Sequence, residues 1–139
     1  MMEIEKLFNC DFLLNGPGTE SDIAITERAL GVQLPEDYKS FMLQHDGGEG
    51  FIGNHYIIIW KISGIVKNNR EYEIPIYAPG FVIFGSTGGG DGFGFDTRTF
   101  PYTVVEAPFI GMSHRDSYLV ANSFNELLRR MNTVEGSLF

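Results

Sequence analysis

The residues best placed to do chemistry lie in two glycine-rich clusters flanked by carboxylates. The first runs Asp46-Gly47-Gly48-Glu49-Gly50-Phe51-Ile52-Gly53, and from Gly48 onward it matches G-x-G-x-x-G letter for letter. A dinucleotide site needs such glycines to follow a strand and open a helix, whose free N–H groups meet the pyrophosphate. Here the order is reversed: the run follows a helical pattern and enters an apolar stretch, which argues against that use. The second cluster, Gly88-Gly89-Gly90-Asp91-Gly92, follows an apolar stretch but lacks the Lys-Ser/Thr pair and the helix of a phosphate-binding loop. It reads as a tight, left-handed connection between Phe84 and Phe93, and also as bare backbone that a ligand or partner can approach. Asp46 with Glu49, and Asp91 with Asp96, supply carboxylates near both clusters. Acid–base catalysis would need them in a cleft with shifted pKa values, whereas a solvated acidic rim serves solubility or steers a basic partner.

Other chemistry finds little support. His45, His55 and His114 show no paired ligand spacing, and His45 lies on an apolar helix face where a satisfied core role is expected. Gly111-Met112-Ser113-His114-Arg115 fails the G-x-S-x-G nucleophile elbow at its last position. Cys10 is the single cysteine, so neither an intrachain disulfide nor a cysteine-based zinc site can form. Neither a catalytic residue, a metal site nor a cofactor is expected.

The elements that position these residues can be read from periodicity. A short first helix or arm holding Ile4, Leu7 and Phe8 leads to the turn Asn15-Gly16-Pro17-Gly18. Thr19 and Asp22 form a capping box for a helix with Ile23, Thr26, Glu27 and Leu30 on one face, ended by Gly31. Glu27 falls on that apolar stripe, so it is expected to bond a nearby backbone or basic side chain. Pro35 suits the first position of a second helix, Glu36 and Asp37 suit its dipole, and Tyr38, Phe41, Met42 and His45 form its buried face. Gly47-Gly48 would cap it. Tyr56–Trp60 and Phe81–Phe84 read as strands covered on both faces, and Phe93 and Phe95 alternate toward a core. A hairpin follows to Tyr102–Glu106, which Pro101 and Pro108 bracket as an edge strand. Ser123 and Glu126 box the last helix, which buries Phe124, Leu127, Leu128 and Met131. Helices, then strands, then a helix give an α+β fold: a central, mainly antiparallel sheet with helices packed on it.

Composition narrows the function classes. With 139 residues the chain fits one domain, 1–139, with enough length for a core of its own. Hydrophobic residues at 43% argue for a folded domain over a disordered one. A net charge of −8 argues against nucleic-acid backbones and anionic membranes, and it permits a cationic partner. The acidic-leaning start Met1–Lys6 lacks the pattern of a signal peptide, and the apolar run Tyr56–Trp60 is too short to span a bilayer. A cytoplasmic protein, monomeric or weakly dimeric, is expected.

Several of these stretches, in this order and spacing, resemble the SUKH superfamily, in particular its fungal glucan-synthesis-regulator and killer-toxin-resistance branch with many bacterial members. The resemblance rests on the helix with Glu27, on Leu34-Pro35-Glu36-Asp37-Tyr38-Lys39-Ser40-Phe41, and on Asp46-Gly47-Gly48. It continues through the strand ending at Trp60, Pro79–Ser86, the Gly-Gly-Asp turn with Phe95-Asp96, and Ala121-Asn122-Ser123-Phe124. It covers residues 19–131. It implies an α+β fold, no catalysis, and either of two roles. One is an immunity protein that binds and neutralises a cognate polymorphic toxin domain, such as a basic nuclease; the other is a regulatory or scaffold protein in cell-wall glucan synthesis or signalling. For the first role, Trp60, Phe51 and Tyr102 are the candidate anchors and Gly88, Gly89 and Gly90 the candidate bare turn. Asp46, Glu49, Asp91, Asp96 and Glu106 are the candidate acidic rim.

Overall fold

The computed structural model describes residues 7–8 and 11–132, so most of the expected N-terminal arm, including Ile4, and Cys10 lie outside the described residues. The described residues form β1 (Phe12–Leu14), α1 (Glu20–Leu30), α2 (Glu36–Gln44), β2 (Gly48–Ile52), β3 (His55–Ile59), α3 (Ile62–Glu71) and α4 (Ile74–Tyr77). Next come β4 (Phe81–Ser86), β5 (Asp91–Asp96), β6 (Thr103–Pro108), β7 (Tyr118–Ala121) and α5 (Phe124–Met131). The strands make one seven-stranded sheet in the order β1 to β7 with antiparallel neighbours throughout, as expected for an α+β fold.

The helix ends follow the sequence signals closely. The Thr19 hydroxyl accepts from the Asp22 N–H (3.1 Å), and Gly31 closes α1 in the left-handed conformation. Glu27 accepts from the Leu34 N–H (2.7 Å) and pairs with Lys39 (3.4 Å), so the one acid on the apolar stripe ties α1 to α2. Pro35 is the N-cap of α2, one residue earlier than the spacing suggests. His45 ends that helix in an extended conformation, with Nδ1 3.0 Å from the Asn15 carbonyl. The expected Gly47-Gly48 cap is therefore displaced: Gly47 (φ 79°) instead turns the chain into β2. Asp37 joins two helix starts, accepting from the Tyr38 N–H (2.8 Å) and from the Asn125 N–H of α5 (3.0 Å). Ser123 accepts from the Glu126 N–H (3.1 Å), and the Glu126 carboxylate accepts from the Asn122 N–H (3.0 Å).

Two of the strand expectations change. β4 is buried along its whole length, as read, but β3 is covered on one face only: Ile57 and Ile59 are buried while Tyr56 and Ile58 are not. β6 lies between β5 and β7 instead of at an edge. Its prolines are harmless there, because Pro101 precedes the strand and Pro108 is its last residue, where no ladder bond has to continue.

The sheet is interrupted beside β4. β3 pairs with β4 only at Ile58–Ser86 and Ile59–Gly85, and the β4–β5 register shifts between Ile83 and Gly85. α3 fills the gap. Its buried Asn69 donates to the Ile83 carbonyl (2.8 Å) and accepts from the Ile83 N–H (2.9 Å), replacing the missing strand partner. The main core lies between the sheet and the helices, with Tyr38, Phe41 and Met42 of α2 and Phe124, Leu127, Leu128 and Met131 of α5 against Phe84, Phe93 and Phe95. Tyr38, Phe84, Phe95 and Phe124 meet at ring-centroid distances of 4.6–5.7 Å. A smaller cluster on the opposite face joins Ile74 and Ala78 to Phe81, Ile83, Val105, Ala107 and Met112.

Candidate partner-binding face

That opposite face is covered over β4 to β6 and open over β1 to β3. The cover comes from α4 and the segment following β6. Alternation along β2 turns Ile52 into the main core and leaves Glu49 and Phe51 exposed. The registers Leu13–Glu49–Ile58 and Phe51–Tyr56 place these side chains in two adjacent rows. Leu13 is 74% exposed and Phe51 47%, so the rows are an apolar surface with one acid, Glu49, which accepts from the Tyr56 hydroxyl. Phe51 and Tyr56 meet edge to face at 5.1 Å.

Glycine makes this surface possible. A side chain at Gly48 or Gly50 would strike the β1 backbone at Leu13 or Asp11, so only glycine lets β1 lie against β2. At the other rim, Gly88 (φ 80°) and Gly90 (φ 106°) form the expected left-handed turn, with Gly88 close to the Tyr56 ring.

Where the open half meets the covered half stands a group of near-parallel rings. Tyr72, just past α3, stacks on Phe109 at 4.1 Å, and Trp60 lies parallel to both at 6.5 and 6.1 Å. Trp60 packs against both cores, and Tyr72 remains 43% exposed. Beside it a groove of about 390 Å³ runs between β1–β3 and α3, lined by Leu13, Glu49, Ile58, Trp60, Lys61 and Asn68.

The structure brings together Trp60, Phe51, Glu49 and the Gly88–Gly90 turn, and it places the other candidates elsewhere. Asp46 accepts from the Ile62 N–H (2.8 Å) and so caps α3 from a distance. Asp96 is held by two bonds from Arg98 (2.9 Å each), and these, against some burial, keep its carboxyl below the usual range. Tyr102 packs on the main core beside a second cavity of about 390 Å³, where Phe100 (88% exposed), Leu34 and Phe124 also lie. Asp91 and Glu106 lie on the helix-covered face, as the pairing of Glu106 with Phe93 requires. Burial raises the Glu106 carboxyl to about 7, and hydrogen bonding with Asp91 adds to the rise while Tyr118 opposes it. Sequence reasoning missed Leu13, Tyr56, Tyr72 and Phe109. The Glu49–Phe51 alternation was a usable signal, but nothing local links Tyr72 to Phe109.

Among the described residues no group of three or more His, Cys, Asp or Glu could hold a metal ion, and no helix is long and apolar enough to cross a membrane. The matches with known proteins point the same way as the fold. A Bacillus subtilis (strain 168) protein named "Uncharacterized protein YnaB" is 38% identical over 74 residues. The match spans 53% of this chain and 47% of that protein, so about half the length of that curated relative is matched. The model of the SMI1 / KNR4 family (SUKH-1) matches residues 17–130, from the turn before α1 to the penultimate residue of α5, and the chain belongs to that family.

Proposed function

We propose that this chain is a non-enzymatic immunity protein whose single domain binds and neutralises a cognate toxin domain in the cytoplasm, a basic one in keeping with the chain's net charge of −8. The observation that carries the reading is the open half-face of the sheet. Phe51, Tyr56, Trp60 and Tyr72 form an aromatic surface next to a groove, the composition that anchors protein partners. Family membership supports a binding role, and the partner is a protein rather than a nucleic acid or membrane. Gly88–Gly90 offers backbone at the rim of this face.

The test uses the C-terminal domain of the protein encoded immediately upstream, titrated with this chain by calorimetry at low and high salt. Tight one-to-one binding that suppresses the domain's toxicity, and that Phe51→Ala with Tyr72→Ala weakens at least tenfold (~1.4 kcal/mol), supports the reading. Failure to bind any neighbouring product overturns it in favour of a regulatory scaffold.

A further inference from the structure

A cluster outside the proposed binding face links the last three strands. The registers Phe93–Glu106 and Glu106–Tyr118 put Glu106 between β5 and β7, and Asp91, two residues before Phe93, projects on the same face. Glu106 is only 7% exposed, and the Asp91 carboxyl and the Tyr118 hydroxyl lie within hydrogen-bonding reach of its carboxyl. Two carboxyl groups can hydrogen-bond to each other only if one of them carries a proton, and burial of Glu106 favours its protonated form. Few other charges bear on it. Phe93 faces Glu106 across the ladder, Arg115 and Asp116 before β7 are exposed, and Arg130 of α5 is engaged by Glu126 (3.2 Å) and the Val120 carbonyl.

The cluster occupies a place where loosening would matter. β7 is an edge strand of the sheet, joined to β6 through a register shift between Val104 and Val105. Asp91 directly follows the glycine turn, and the Gly90 carbonyl accepts from the N–H of Phe109, one of the stacked rings. We propose that Asp91, Glu106 and Tyr118 form a proton-dependent latch: with one proton between the carboxyls they clamp β7 and the Gly88–Gly90 turn to the sheet. When the proton leaves, repulsion between Asp91 and Glu106 releases both. This holds whether or not the partner is a toxin.

The expected size follows from linkage. A carboxyl near 7 when clamped and near 4.5 when released makes opening about tenfold more frequent at pH 8 than at pH 6. Hydrogen exchange of the full chain, corrected for the intrinsic effect of pH on amide exchange, reads this directly. Peptides covering 88–92 and 118–121 should lose about tenfold protection between pH 6 and pH 8, while 124–131 keeps its own. Glu106→Gln, which can still donate to Asp91 but does not titrate, should give the same protection at both pH values. Asp91→Asn, which removes the second cause and leaves the burial of Glu106, should reduce the difference without abolishing it. Equal protection of the parent at both pH values, a pH difference that survives in Glu106→Gln, or one that Asp91→Asn leaves undiminished, overturns the latch.

Discussion

Replacing Asn69 by Leu tests the idea that a side chain stands in for a strand. Leu has the same branched outline and heavy-atom count as Asn and a somewhat larger volume, so the change removes hydrogen bonding without opening a cavity. Asn69 serves three backbone groups, of which the Ile65 carbonyl already has its place in the helical pattern. The Ile83 N–H and C=O, at 2.9 and 2.8 Å, depend on Asn69 because β3 has turned away by then. Each would be left buried without a partner, at about 1–3 kcal/mol, giving ~2–6 kcal/mol in all. Against the ~5–15 kcal/mol typical of a domain, that is a large share of the total stability. Urea unfolding followed by circular dichroism and by the fluorescence of the single tryptophan, Trp60, provides the assay. With ~1–3 kcal/mol per molar urea, the midpoint should fall by roughly 1–3 M. Asn69→Asp, which keeps the acceptor and loses the donor, should fall between, with recovery at low pH where the acid can donate again. An Asn69→Leu midpoint within about 0.3 M of the parent would refute the argument, because the gap would then need no polar partner.

Three further outcomes follow from single contacts. Asp37→Ala removes acceptors from the starts of both α2 and α5 and should cost ~2–3 kcal/mol in thermal or urea unfolding, about twice an ordinary cap. Gly50→Val should displace β1 without unfolding the rest, since its side chain would strike Asp11 and Phe12; exchange protection should vanish in residues 12–14 and persist in β4 and β5. Glu106 has its pKa raised in the folded state, so it favours folding below about pH 4.5 and loses that contribution as pH climbs to about 7. Allowing for residual solvation and for sharing with Asp91, Glu106→Gln should be ~1–2 kcal/mol more stabilising at pH 8 than at pH 5, and a constant difference would contradict the raised pKa.

The sequence was most legible where a local signal sufficed. Thr19, Gly31, Ser123 and Glu126 mark helix ends through contacts within four residues; the first three act as read, while Glu126 reaches one residue past the N-cap, to the Asn122 N–H. Glu27 was legible as an anomaly, because an acid on an apolar stripe must find a donor, and it found Leu34 and Lys39. α3 was not legible. Its sequence ISGIVKNNRE has a glycine in the first turn and two asparagines where helix formers would be expected, since Asn69 is there for Ile83 rather than for the helix. β1, with three residues, is held by glycines of another strand, and no periodicity can be read from so few positions. The apolar run Tyr56–Trp60 signals burial on both faces, yet Tyr56 and Ile58 line the open surface. A binding surface and a core strand share that composition, so only topology separates them.

The carboxylates supply the strongest lesson about the proposed partner. A rim was expected from Asp46, Glu49, Asp91, Asp96 and Glu106, but Asp46 caps α3, Asp96 holds Arg98, and Asp91 and Glu106 bond to each other. Of the five, Glu49 alone lies in the aromatic rows, and it is already engaged by Tyr56. Attraction of a basic toxin would then come from the summed charge of −8 and not from a local ring of acids. The two mechanisms separate in kinetics. Under summed charge, the association rate falls with salt, Glu49→Gln changes it by less than about twofold, and Phe51→Ala or Tyr72→Ala acts through dissociation. Under a local rim, Glu49→Gln alone would slow association severalfold and flatten its salt dependence. Stopped-flow association at two salt concentrations distinguishes them, and a severalfold effect of Glu49→Gln would overturn the summed-charge account.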